Sequence, residues 1–359
     1  MKAIFMHHKE ITRKLIITHY QTYPKLQIQD IFKYLHQSTF GCEHMVSSFE
    51  NAKKRIIDEY QNISSEGIFN IEPLDGLYSR VPLSYLYNGL SIDTFSKLFF
   101  LSSKSNKGTI EDLILKLQIT RELIIEKILP FSLDDFNHLV EEWASKGYPA
   151  IHHSDIFRNE YKPAYRVISN NYIRFLPFLC EVDKRLSNNP LKIAIEGGSA
   201  SGKTTLSKLL TQVYDCTIFH MDDYFLRPEQ RTPERFSQTG GNVDRERFLE
   251  EILYPLSRNE VINYRKFDCS LMEVGESISI VPKKLVIIEG VYSMHPDLRD
   301  YYDFSVFLDI SPDLQKERIL HRNPGPLAQR FFDQWIPMEK KYFSEMNIPD
   351  ICDIKIQIS

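Results

Sequence analysis

The sequence predicts an α/β chain in two parts: a mainly helical first half, then a second half built on a parallel sheet with helices on both faces. Three observations carry that expectation. Apolar stripes at helical spacing dominate the first half, and short apolar runs alternate with helical stretches in the second. The first of those runs ends in a glycine-rich loop that opens a helix.

In the first half, Ile11, Leu15 and Ile16, and later Leu113, Leu117, Leu123, Ile124 and Ile128, fall on helical stripes. Eight of the eleven histidines lie in this half. Its punctuation is unusual: FGCEHM at 40–45, GLYSRV at 76–81 and GYPAIHHS at 147–154. Glu43, His44, Arg80, His152, His153, Arg158, Tyr161 and Arg166 are candidates for an anion or metal pocket, but their spacing matches no recognised ligand set and ordinary core or surface histidines are the better account. Ser187, Asn188, Asn189 and Pro190 form a short break, so the expected domains are 1–186 and 187–359.

The second half opens with a strand carrying Leu191, Ile193 and Ile195. Residues 197–204 then fit G-x-x-x-x-G-K-[ST], and Leu206, Leu209 and Leu210 stripe the following helix. Glycines at 197, 198 and 202 let the backbone bring successive N–H groups against phosphate oxygens, and the helix N-terminus adds its partial positive charge. The expected nucleotide cradle is Gly197, Gly198, Ser199, Ala200, Ser201, Gly202, Lys203, Thr204 and Thr205. Lys203 would reach the β and γ phosphates and Thr204 would complete a Mg²⁺ shell. The half thus reads as a P-loop NTPase sheet.

Further along, the apolar run 216–221 ends in Asp222 and Asp223, and a helical stretch follows at 245–256. The strand 285–288 ends in Glu289 and Gly290, and the strand 304–310 feeds a helix over 312–321. Acids at the carboxyl ends of parallel strands share an edge with the P-loop, where ligands bind in open α/β sheets. Phosphoryl transfer needs a carboxylate to position or deprotonate an acceptor hydroxyl and an acid near the metal. Asp222 is expected as the base and Glu289 as the metal-side acid; Asp223 can exchange roles with Asp222. Asp also caps strand ends for purely local reasons.

Composition bounds the rest. The chain has 359 residues, 26% charged and 42% hydrophobic, with a formal charge of −4, which describes a globular protein without a basic groove for nucleic acid. No signal core or membrane-spanning run is present, so a cytoplasmic protein is expected. Cys42, Cys180, Cys216, Cys269 and Cys352 are scattered, which fits reduced thiols.

From about residue 192 onward the chain resembles the uridine kinase and phosphoribulokinase family of P-loop kinases. Four blocks carry the likeness: GGSASGKTT at 197–205, HMDDYF at 220–225, IIEGVY at 287–292 and FLDISPDLQKERILHRN at 307–323. WIPMEKKYF at 335–343 resembles the family's closing helix. The resemblance implies Mg-ATP as phosphoryl donor, Asp222 as catalytic base, and Thr204 and Glu289 on the metal. It implies Arg318 and Arg322 as lid arginines, with His321 and Arg330 nearby, since planar guanidinium groups suit a migrating phosphoryl group. Asp223, Tyr224, Asp244, Tyr264 and Asp268 stand where the family binds its acceptor. Where uridine kinases carry His and Arg, this chain has Cys269, Ser270, Leu271 and Met272, and the lid HRNPGPLAQR lacks an RGR signature and carries two prolines. Uridine is therefore in doubt as acceptor, and a short, stiff lid is expected.

Two functions follow. The first is an ATP-dependent kinase acting on a hydroxyl of a small, nucleoside- or sugar-like metabolite. The second is an ATP-binding switch reporting to the first half without phosphorylating a metabolite. ATP against GTP and homo-oligomer formation stay open at this level, and no nucleic-acid or membrane partner is expected.

Overall fold

The computed structural model describes residues 2–42, 46, 48–63, 70–104, 108–186, 190–323 and 325–358, with side chains from residue 9. Two compact units divide it, Met1–Glu181 and Val182–Ser359. The division falls inside the helix Leu176–Leu186, and three residues of the expected break, 187–189, lie outside the described residues.

The first unit is mostly helical, and its helices start where hydroxyl side chains cap the chain. Ser48, Ser91, Thr109, Ser132 and Ser154 each accept the N–H three residues on, satisfying a donor that has no partner inside the helix. Leu113, Leu117, Leu123 and Ile124 are buried as their stripe requires, whereas Ile128 lies beyond the helix Ile110–Ile125 and is exposed. The first helix, Lys2–Thr22, departs from its apolar stripe: Ile11 is exposed, and among its described side chains the buried ones are Thr12, Ile16 and His19. Two polar groups on that face find partners inside, Thr12 on Asp75 at 3.0 Å and His19 on Glu72 at 2.5 Å.

The unit also contains a three-stranded antiparallel sheet that the sequence reading did not foresee: β1 (Glu72–Leu74), β2 (Tyr78–Pro82) and β3 (Tyr165–Ser169), in that order. Asp75 and Gly76 turn the β1–β2 hairpin at positive φ. Arg80 pairs with Val167 across β2 and β3, bringing distant sequence segments together.

The second unit is a five-stranded parallel sheet. Its strands are β4 (Leu191–Gly197), β5 (Cys216–His220), β8 (Leu285–Glu289), β9 (Phe304–Ile310) and β10 (Ile354–Ile358), in the order β10-β9-β4-β8-β5. β4 is central, so the chain runs out to one side through β5 and β8 and then crosses to β9 and β10. The strand order reverses beside β4, the place where such sheets open a crevice at their carboxyl ends. Central strands read as continuous apolar runs because both faces are covered; all five residues of β8 are buried. A hairpin of β6 (Ile262–Asp268) and β7 (Glu273–Ile280) is added outside the sheet.

Two helical runs widen into π turns, at Leu249–Leu253 and Phe331–Trp335. Each lies just before a proline, Pro255 or Pro337. Proline has no N–H and its ring crowds the carbonyl four residues back, so a wider turn lets the run continue. The second run, 326–345, leads from the expected lid into the helix Ile336–Glu345.

Candidate active site

The glycine loop after β4 is shaped by contacts that exclude side chains. Gly197 has φ +147°, and a Cβ there would lie 2.6 Å from the Leu308 carbonyl oxygen; Gly202 has φ +102°. Ala200 also adopts positive φ, which only a tight loop imposes on a residue with a Cβ. The loop runs into the helix Lys203–Val213. Lys203 is buried and turns back over the loop, donating to the carbonyls of Gly197 at 2.8 Å and Gly198 at 3.1 Å. The buried Ser201 hydroxyl has no hydrogen-bond partner, an unused polar group inside a cradle built for oxygen-rich ligands.

Around Lys203 stand carboxylates from neighbouring strand ends. Glu289, at the end of β8, accepts from the Thr204 hydroxyl at 3.1 Å, and its Oε1 is 2.6 Å from His220 Nδ1 at the end of β5. Burial works to raise Glu289, but the His220 hydrogen bond and the Lys203 charge outweigh it and hold the carboxyl below its ordinary value. The same bond holds His220 above its own.

Asp222 follows β5 in a short 3₁₀ turn, Met221–Tyr224. Its side chain reaches solvent, yet crowding by the crevice walls pushes its carboxyl upward. Glu289 and Asp223 add to that push, while Lys203 and His220 oppose it. Gly290 makes this turn possible: at φ +147° it packs against Met221, and a Cβ there would lie 2.5 Å from the Met221 Cβ.

Two further acids were not anticipated. Glu196, buried at the end of β4, accepts from the Gly197 N–H at 2.8 Å, and also from Met294 N–H at 3.1 Å and Tyr342 hydroxyl at 3.0 Å. Burial pushes it up to about 7. Glu339, on the helix Ile336–Glu345, is 5% exposed and enters the phosphate loop itself. It accepts from the Ser199 N–H at 2.9 Å and, in a short contact, from the Ser199 hydroxyl. Burial raises its carboxyl, Lys203 and the Ser199 donors oppose, and Asp222 adds to the rise. A carboxylate of the chain therefore takes loop donors of the kind that otherwise face phosphate.

Of the lid candidates, Arg318 reaches the loop, donating to the Ala200 carbonyl at 3.1 Å. Arg322 lies over Phe331 at 5.6 Å, Arg330 lies over Trp335 at 5.3 Å, and His321 is exposed.

The acceptor candidates divide. Asp223 is on the same turn as Asp222, with Lys266 3.0 Å from its carboxylate. Tyr264 packs edge-on against Phe219. Tyr224 is fully buried, its ring 4.1 Å beneath the Arg247 guanidinium. Asp244 is also buried, capping the helix Arg245–Phe248 and standing 3.5 Å from Arg247, with Oδ2 lacking a hydrogen-bond partner. The Asp268 carboxylate is taken up by a hairpin turn, accepting from the Ser270 and Leu271 N–H groups.

Of the first-unit candidates, Arg80 and His153 meet at Tyr165, Arg80 4.7 Å from its ring centre and His153 Nε2 2.7 Å from its hydroxyl. Arg166 pairs with Glu59, Arg158 donates to the His153 carbonyl, Tyr161 accepts from the Lys25 N–H, and the His152 carbonyl accepts from Gln29. Glu43 and His44 lie outside the described residues. Among the described residues no group of three or more His, Cys, Asp or Glu is arranged to hold a metal, and no helix is long and apolar enough to cross a membrane.

Comparison with known proteins finds likenesses to the second unit. The model of the "Phosphoribulokinase / Uridine kinase family" matches residues 192–330. A uridine kinase of Chlamydia pneumoniae is 30% identical over 36% of this chain, which spans 61% of that relative's length. A uridine kinase of Oceanobacillus iheyensis is 28% identical over 41% of this chain and 75% of its own. A solved structure described as a possible uridine kinase from Bacillus stearothermophilus aligns with TM-score 0.37 at 20% identity, covering 49% of this chain and 99% of that one. Over residues 192–330, then, the chain is similar to the Phosphoribulokinase / Uridine kinase family.

Proposed function

We propose that the second unit transfers the γ-phosphoryl group of Mg-ATP to a hydroxyl of a small, nucleoside- or sugar-like metabolite. The observation that carries this reading is the convergence of Lys203, Asp222 and Glu289 at the carboxyl ends of neighbouring parallel strands, on the phosphate loop's own edge. Its relatives' names support a hydroxyl acceptor, and the replacements at 269–272 argue against uridine itself.

The loop N–H groups and Lys203 hold the phosphates, with Lys203 leaving the Gly197 and Gly198 carbonyls to meet them. Magnesium, when bound, would be held by the Thr204 hydroxyl and Glu289, which already lie 3.1 Å apart, and would neutralise phosphate charge. Asp222 orients the acceptor hydroxyl and takes its proton; its raised affinity for a proton suits that role. Arg318, already on the loop, donates to the phosphoryl oxygens. Catalysis of this kind is mainly positioning and charge stabilisation.

The test is ADP release with Mg-ATP against nucleosides, pentose phosphates, pantothenate and glycerate, beside Asp222→Asn. One acceptor is expected to raise turnover in the wild type, with a loss of about 10²-fold or more in the variant. Slow turnover that no acceptor changes, equal in both proteins, would instead favour a nucleotide switch.

A further inference from the structure

The helix Ile336–Glu345 holds two sides of the crevice at once. On the nucleotide side, Glu339 accepts from the Ser199 N–H at 2.9 Å and from its hydroxyl, and Gln315 donates to the Ser199 carbonyl at 2.9 Å. Every polar group of that loop residue is thus engaged by the chain itself. Three residues on, Tyr342 is fully buried and donates at 3.0 Å to Glu196, the residue before the loop. On the other side, the Thr239 hydroxyl donates to Glu345 in a short contact, and Lys341 donates to the Ser237 carbonyl at 3.4 Å. The Tyr342 ring meets that of Tyr292 at 4.8 Å, and Tyr292 closes against Gly240, where a Cβ would lie 3.2 Å from its ring.

The segment held in this way, 237–242, runs directly into the chain that flanks Asp222. Val243 bridges Phe225, and the Asp244 N–H donates to the Tyr224 carbonyl at 2.8 Å. One helix therefore reaches from donors that would meet phosphate to the segment beside the acceptor position.

The Glu339 carboxylate has no room to turn aside when phosphate arrives. It is 5% exposed and lies over Gly198, where a Cβ would be 3.3 Å from Oε2 and 3.0 Å from Gln315 Nε2. Left buried beside a triphosphate, with Asp222 and Glu289 also near Lys203, it would be an unpaired charge among like charges, which a protein interior tolerates least. Reaching water requires the helix to move. Its ends allow this: the π turn Phe331–Trp335 precedes it, and Asn347, at φ +54°, follows it. Lys341 and Glu345 then move with Glu339.

We propose, resting on the phosphoryl-transfer reading of the second unit, that Ile336–Glu345 is an autoinhibitory strap. At rest it fills the phosphate loop with Glu339 and clasps 237–242; nucleotide entry expels it and frees that segment for the acceptor. Coupling between two sites is reciprocal, so slackening the clasp at its far end favours nucleotide at the loop.

The experiment is hydrogen exchange of the full wild-type chain with and without a non-hydrolysable Mg-ATP analogue, read over 237–242 and 336–345. Both segments are expected to exchange about three-fold faster or more with the analogue bound, the reverse of the protection a ligand ordinarily confers. Calorimetry with the same analogue adds Thr239→Val, which removes the hydroxyl at the exposed clasp and leaves the phosphate loop untouched. This variant is expected to bind about two- to five-fold more tightly than wild type. Analogue binding with unchanged or slower exchange in the two segments, or with Thr239→Val no tighter than wild type, would overturn the strap and leave the nucleotide reading standing. Binding recovered only in Glu339→Gln would support the strap in its strongest form. No binding by wild type, Thr239→Val or Glu339→Gln would overturn both readings together.

Discussion

Glu339 is the residue whose role is set most clearly by position. Its carboxylate engages Ser199 through both the N–H and the hydroxyl, within range of the charges of Lys203 and Asp222. A triphosphate entering the loop must displace it, and three acids, Asp222, Glu289 and Glu339, then surround one lysine. Removing its charge should ease that entry. Glu339→Gln is expected to bind a non-hydrolysable ATP analogue about 5- to 20-fold more tightly in calorimetry, a change of about 1–2 kcal/mol. Unchanged or weaker binding would mean that Glu339 supports the occupied loop instead of competing for it. Lys203, Thr204, Asp222 and Glu289 were legible because local pattern marks them: Lys203 and Thr204 open the helix after the glycine loop, Glu289 ends β8, and Asp222 lies two residues past β5. Glu339 was not: it lies 140 residues from Ser199, and only the packing of its helix brings the two together. Tyr224 and Asp244 show the reverse case, residues at acceptor-like positions in the sequence that the fold buries in core and cap.

At the level of elements, the site depends on how closely β8 and β5 end beside one another. Gly290 holds that approach, because any Cβ at its position would meet Met221, the residue before Asp222. Gly290→Ala is therefore expected to lower stability by about 2 kcal/mol or more and to reduce turnover beyond the loss of folded protein, since the Asp222 turn must move. Thermal melting beside activity per folded molecule checks this; a variant as stable and active as wild type would show that the turn is not constrained there. The central strands were readable because covered strands are uninterrupted apolar runs. The β6–β7 hairpin was not, since β7 is largely exposed and carries no strong pattern. β10 has a clear alternation, Ile354, Ile356 and Ile358, but five residues at an edge are a weak signal against the runs of β4 and β8. The sheet of the first unit escaped detection for a different reason: β1 has three residues, and β2 pairs with a strand far along the chain.

Across the whole molecule, each unit has its own polar interior, and that of the first should make it labile to acid. His153, 6% exposed, is pushed down to about 4, chiefly by burial, with its Asp30 hydrogen bond opposing. Because its folded value lies below the unfolded one, the stability it contributes is present above about pH 6.5 and lost as pH falls toward 4, up to roughly 3 kcal/mol. Asp30 itself is held at about 2: burial opposes, but bonds from His153, Ser154 and Gln27 prevail, so its contribution is lost only at lower pH. Trp143 reports on this unit once Trp335 is changed to Phe, and its fluorescence should show a melting temperature that falls between pH 7 and 4.5. His153→Asn, which keeps a donor toward Asp30 but does not titrate, should flatten that fall; an unaltered slope would move the acid sensitivity to other groups. In the second unit, the proposed transfer from the P-loop crevice ends on a metabolite hydroxyl and not merely on water. It is tested most directly by following label from [γ-³²P]ATP with Mg²⁺ and the acceptor panel, separating phosphorylated metabolite from inorganic phosphate. Label is expected in one phosphorylated acceptor with the wild type and in none with Asp222→Asn. Label recovered only as inorganic phosphate, at equal rates in both proteins, would rule that transfer out.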